Sequence, residues 1–166
     1  MFEIKVQPLT LEKFERYGSF INLVDNDRPV LGEAPNEYCR DLMPSYTGST
    51  VNSGAICRVK NMPMIIKEVE YSNTFEKTML PLDGDIVIFV GDASAEGDPI
   101  PLEKFEAFLV PQYTLVKMRI GIWHHAPFAH NDLPSTNVLI MSLPRFYVND
   151  IFATELPEEK FIRIVD

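Results

Sequence analysis

A chain of 166 residues can build one substantial core but not two, and 46% hydrophobic with 23% charged residues places it among chains that fold unaided as a single domain over 1–166. Its net charge of −9 argues against nucleic acid or an anionic membrane as partner, because both select a basic face; an anionic small molecule still fits, since a few local Arg or Lys outweigh the global sign. Cys39 and Cys57, far apart in a chain with no basic-then-apolar leader, read as reduced thiols of a cytoplasmic protein.

In chain order, Thr10 can cap a short helix whose Leu11, Phe14 and Tyr17 share one side, with Gly18 to end it. From there to Gly54 the text is rich in Asn, Asp, Pro, Gly and Ser and reads as long loops around one or two short strands. Beyond Gly54 short β segments alternate with turn signals: Ala55–Lys60, Met64–Tyr71, Glu76–Pro81, Asp85–Val90, Glu106–Val110, Leu115–Arg119, Asn137–Ser142 and Phe161–Val165. The apolar run Ile86–Val90 has strand length and is far too short to span a bilayer. Leu82-Asp-Gly84 reads as a hairpin turn, Gly91 to Gly97 as a loop, and Pro101–Phe105 as a helical turn. Strands at this spacing without long helices between them predict an antiparallel sandwich or barrel.

The run Arg119-Ile-Gly-Ile-Trp-His-His-Ala-Pro127 holds two of the three histidines. Imidazoles exchange protons near neutral pH, so histidine chemistry belongs here or at His130. Adjacent strand residues face opposite ways, so one of His124 and His125 looks into a given cavity.

Several passages together resemble the ureidoglycolate lyase (ureidoglycolate hydrolase) family of the cupin superfamily. Pro8-Leu-Thr-x-Glu-x-Phe-x-x-Tyr-Gly18 is similar to the family's opening, and Leu80-Pro-Leu-Asp-Gly84 to its Pro-hydrophobic-x-Gly turn. Phe108-Leu with Pro111 resembles the run ahead of the last motif, and Arg119-x-x-x-Trp-His-His-x-Pro127 resembles Arg-x-x-Trp-His-His-Pro. The resemblance implies a mainly β fold: a cupin-type (RmlC-like) antiparallel β-barrel or jelly roll with a few short helices. It also implies a homodimer, for which Phe146-Tyr-Val148 and Ile151-Phe152 offer an apolar contact or, alternatively, a cover for the open end of the barrel.

The activity implied is carbon–nitrogen bond cleavage of ureidoglycolate to glyoxylate and urea, a step in allantoin and purine breakdown, with a small carboxylate or ureide as ligand. A base takes the carbinol proton, an acid protonates the departing nitrogen, and a donor holds the carboxylate. The catalytic set is then His124, Glu70 and Lys77, with His124 as base or acid and Glu70 orienting it or carrying the second proton. Lys77 or Arg119 would hold the carboxylate, and Ser72, Tyr71, Trp123 and His125 complete the binding set. Each also has a plainer reading: His124 or His125 as a backbone-bonded core imidazole, Trp123 as barrel filling, Glu70 as a solvated strand residue, Lys77 pointing outward with Glu76 inward.

Anchored on Gly84, the first metal-binding cupin motif lands on Glu70, Ser72 and Lys77, where relatives usually carry His at the Ser72 position and Gln at the Lys77 position. One histidine and one carboxylate are left where a divalent metal asks for at least three ligands, so no cofactor is expected, with a divalent metal as the weaker alternative. The alternative function is a diverged cupin that keeps the cavity for another small molecule after losing lyase activity. A third reading is an interaction protein whose barrel is filled with side chains.

Overall fold

The structure, a computed structural model, describes residues 2–33, 35–43, 51–95, 97–130 and 132–166. The loop reading over 44–50 lies outside the described residues. The described strands, in chain order, are β1 (Phe2–Pro8), β2 (Gly18–Asn22), β3 (Leu31–Glu33), β4 (Asn36–Tyr38), β5 (Ser53–Lys60), β6 (Ile65–Ile66), β7 (Glu68–Ser72), β8 (Lys77–Pro81), β9 (Ile86–Val90), β10 (Glu106–Val110), β11 (Thr114–Met118), β12 (Phe128–Ala129), β13 (Ser135–Ser142), β14 (Ile151–Glu155) and β15 (Ile162–Val165). Two short helices, α1 (Leu11–Phe14) and α2 (Phe146–Asn149), and single helical turns at Leu102–Lys104 and Glu158–Lys160 complete the set. No helix of the described residues is long and apolar enough to cross a membrane.

One sheet runs β12-β9-β10-β1-β15-β6 and the other β2-β11-β8-β13-β5. Pairing is antiparallel except at β1, which lies parallel to both β10 and β15. A third, two-stranded unit pairs β14 with β7. The segment after Gly121 stitches this unit to the first sheet: Trp123 exchanges backbone hydrogen bonds with Gly91 at 2.8 and 3.0 Å, and His124 with Glu70 at 2.6 and 2.8 Å.

The apolar run Ile86–Val90 is continuous because both faces of β9 are covered. Ile86, Ile88 and Val90 join Phe14, Phe108 and Met118 inside the barrel. Val87 and Phe89 join Trp123, Phe105 and Ile162 in a second core on the other face. The eight strands read from turn signals are all present, with Met64–Tyr71 divided into β6 and β7. β1, β2, β3, β4, β12 and β14 lie outside that set, with β2, β3 and β4 placing three described strands between Gly18 and Gly54 where one or two were expected, and the turn at Leu102–Lys104 falls where a helical turn was expected.

Three local readings are corrected. Thr10 occupies the N-cap position of α1 without a side-chain capping bond, and Leu11 is exposed while Phe14 and Tyr17 are buried. Gly18 does not end the helix; it opens β2 opposite Met118, where an added Cβ would sit 1.9 Å from the Lys117 carbonyl oxygen. Leu82-Asp-Gly84 is no hairpin, because β8 pairs with β11 and β13 whereas β9 pairs with β10 and β12. That turn carries the chain from one sheet to the other, held by Asn137, whose backbone N–H donates to Asp83 Oδ1 at 2.7 Å.

Candidate active site

Alternation along β8 sends Lys77 and Met79 into the barrel, and alternation along β7 sends Glu70 in and its neighbour Tyr71 out. The inward setting of Lys77 is fixed by its neighbour, since Glu76 pairs with Lys117 of β11 at 3.1 Å. Lys77 and Glu70 form a direct ion pair with both residues buried. An ammonium and a carboxylate removed from water at one point are costly to hide unless they face each other, so each fixes the other. The Phe146 ring of α2 lies over this ammonium at 5.3 Å, a cation–π contact from the mouth of the barrel.

His124 stands behind the pair. Its Nε2 is 3.6 Å from Glu70 Oε1, and its Nδ1 is 2.8 Å from the Ile122 carbonyl oxygen, which selects the tautomer with the proton on Nδ1. Burial holds its pKa well below the ordinary imidazole range, the Lys77 charge pushes the same way and His125 adds to it, against the opposing hydrogen bond to Ile122. His124 is therefore a neutral imidazole.

His125 follows the last bridged residue, and there the chain leaves strand geometry on its way to Pro127. Strict alternation would turn it away from Glu70. Instead both imidazoles reach the same carboxylate, with His125 Nε2 4.0 Å from Glu70 Oε2 and 3.4 Å from Glu68 Oε2. A cavity of about 290 Å³ opens over Glu70, Lys77 and His125, closed on its other sides by Met79, Ile140 and the lid residues Phe146 and Ile151. His124 does not line it. Phe146 and Ile151 thus cover the open end of the barrel, while Tyr147, Val148 and Phe152 are exposed. Asp150 latches this lid to the β7–β8 turn by accepting from the backbone N–H of Asn73 (3.2 Å), the N–H of Thr74 (3.0 Å) and the Thr74 hydroxyl (2.7 Å). Large side chains fill the barrel elsewhere, so the filled-barrel reading describes one end and not the other.

The remaining sequence-chosen residues lie apart. Arg119 is exposed and donates to the Arg16 carbonyl oxygen at 3.1 Å; it does not line the cavity, because β11 ends at Met118 and the chain turns outward there. Ser72 is buried and spends its hydroxyl on the Phe75 carbonyl oxygen at 3.1 Å. Trp123 packs in the second core and donates from Nε1 to Ser94 at 3.1 Å, edge-on to Tyr71. Tyr71 and Trp123 line a separate depression with Phe152, across β7 from the cavity. His130 is remote and pairs with Asp166 at 2.8 Å. Sequence reasoning missed Cys57, Met79, Ile140 and Asp150; only the inward alternation of β5, β8 and β13 could have signalled the first three, and a lone Asp carries no such signal.

These residues do not fit a divalent cation. The Lys77 ammonium occupies the face of Glu70 that a metal would use, and no three His, Cys, Asp or Glu of the described residues are grouped to hold one.

Among solved structures, the chain is similar to the dTDP-6-deoxy-D-glucose-3,5-epimerase RmlC from Legionella pneumophila Philadelphia 1, in complex with dTDP-4-keto-L-rhamnose, at 9% identity and a TM-score of 0.50 over 86% of this chain and 80% of that one. A dTDP sugar isomerase from Desulfovibrio desulfuricans G20 is similar at 10% identity and a TM-score of 0.47, covering 79% of this chain and 81% of that one. The first likeness shows the cupin-type, RmlC-like barrel. No curated protein matches. The family model described as ureidoglycolate lyase matches residues 1–142, leaving α2, β14 and β15 beyond the match. On that match, over most of its length and including Glu70, Lys77 and the His124–His125 pair, the chain belongs to the ureidoglycolate lyase family.

Proposed function

We propose that this protein is a ureidoglycolate lyase-like enzyme, cleaving a carbinol C–N bond by acid–base catalysis and releasing glyoxylate and urea. The observation that carries this reading is the buried Glu70–Lys77 pair on the cavity wall, with His125 against the same carboxylate. Lys77 holds the substrate carboxylate. Glu70 takes the carbinol proton; the oxygen's electron pair then forms the carbonyl of glyoxylate as the C–N bond breaks. His125 hands a proton to the departing nitrogen, giving urea. Two proton transfers inside a site walled by apolar side chains need no metal, and each is worth about 10²–10⁴-fold in rate. His124 touches no substrate here; as a neutral ring behind Glu70 it is a positioning residue.

A second reading, a cupin binding another small molecule without lyase chemistry, draws on the apolar character of most of the lining. Glyoxylate release from ureidoglycolate separates the two. The lyase reading expects turnover by wild type and a loss of at least about 100-fold in Lys77→Met. Saturable binding of small carboxylates with no glyoxylate released would favour the second reading.

A further inference from the structure

The cavity lining is mostly apolar. Beside Glu70, Lys77 and His125 it includes Ile56, Met79, Ile140, Phe146 and Ile151, with Cys57 and Tyr147 among them. Apart from the Cys57 thiol and the Tyr147 hydroxyl, the side chains on the rest of the lining bring no strong hydrogen-bonding group to a ligand. Urea, the leaving half of ureidoglycolate, is polar at every edge and would lose its hydrogen bonds to water against such a wall without replacing them. Two of the apolar residues, Phe146 and Ile151, come from the lid segment beyond the family match.

We infer that the preferred substrate is an N-acyl-2-hydroxyglycine whose acyl group is apolar, with its carboxylate on Lys77 and its acyl tail against Met79, Ile140 and Ile151. This rests on the lyase reading and names the substrate class of that site. The step balances as before. The carbinol O–H proton leaves to Glu70, the electron pair left on that oxygen forms the second bond of the glyoxylate carbonyl, the C–N bond breaks with its pair going to nitrogen, and the nitrogen takes a proton from His125 to leave as a primary amide. No co-reactant is consumed. The cavity volume of about 290 Å³ accommodates a benzoyl or short aliphatic acyl group beside the hydroxyglycine head.

The test compares glyoxylate release from N-benzoyl-2-hydroxyglycine and from ureidoglycolate. The inference expects kcat/KM at least tenfold higher for the benzoyl compound. Equal or better turnover of ureidoglycolate overturns the inference and leaves the lyase reading standing; no glyoxylate from either overturns both. Titration calorimetry with the unreactive pair N-benzoylglycine and N-carbamoylglycine gives an independent arm, in which the benzoyl compound is expected to bind at least tenfold more tightly and equal binding contradicts the assignment. Ile151→Asn, at a partly exposed lid position, is expected to shrink the benzoyl-to-ureido ratio several-fold. An unchanged ratio would place the tail elsewhere and overturn the inference.

Discussion

At the residue scale the buried groups around Glu70 dictate how the protein responds to pH and to loss of charge. His124 is neutral in the folded protein because burial and Lys77 hold its pKa well below the ordinary 6.5. The unfolded chain takes up a proton there as pH falls through 6.5, and the folded chain does not until far lower. The unfolded state thus binds more protons in that window, and folding stability falls with pH by up to about 1.4 kcal/mol per unit for this one group. Urea unfolding at pH 7.5 and 5.5 should show the decline in wild type and a smaller one in His124→Gln; equal slopes would mean the ring is charged in the fold. Loss of one member of the ion pair is harsher. Lys77→Met leaves the Glu70 carboxylate buried without its partner, a change that costs about 3–5 kcal/mol in comparable pairs.

At the scale of elements, two contacts hold the walls in register. Gly18 allows β2 to lie against β11, and a Cβ at that position would meet backbone that has nowhere to move. Gly18→Ala is expected to destabilise by more than about 2 kcal/mol, read from the denaturation midpoint, with no rescue from side-chain changes nearby. Asp150 ties α2 and β14 to the β7–β8 turn through three bonds to one carboxylate. Asp150→Ala should cost about 1.5–3 kcal/mol, and hydrogen exchange should quicken in 146–155 and 73–74 before it does in β9 or β10. Uniform exchange across the chain would show that the latch is not what secures the lid.

At the scale of the whole molecule, what was legible in the sequence followed from short-range physics. Strands from β5 onward, β12 and β14 excepted, announced themselves because turn residues bracket apolar runs, and Ile86–Val90 read as a strand because both its faces are covered. Sheet membership did not read out: β8 and β9 are separated by a turn-like Leu82-Asp-Gly84, yet they belong to different sheets, and only long-range pairing decides that. Glu70 and Lys77 entered the candidate site through the family motif anchored on Gly84; their ion pair was not legible, because β7 and β8 lie in different sheets and only the fold brings them together. The setting of Arg119 was not legible either, since whether it points inward depends on where β11 ends. The two histidines escaped a strict alternation rule because the chain turns toward Pro127 between them and the next strand. The lid was legible only as an apolar cluster with two uses, and its latch, Asp150, is an unremarkable Asp until the β7–β8 turn is folded against it.

The central claim is that, within the buried pair, Glu70 takes the carbinol proton and Lys77 grips the substrate carboxylate. The double variant Glu70→Gln/Lys77→Met tests it most directly, because removing both charges together avoids the cost of stranding one of them. With thermal unfolding and glyoxylate release measured on the same preparation, the account predicts stability close to that of wild type and turnover lower by at least about 100-fold. A double variant that folds like wild type and releases glyoxylate at the wild-type rate would contradict it.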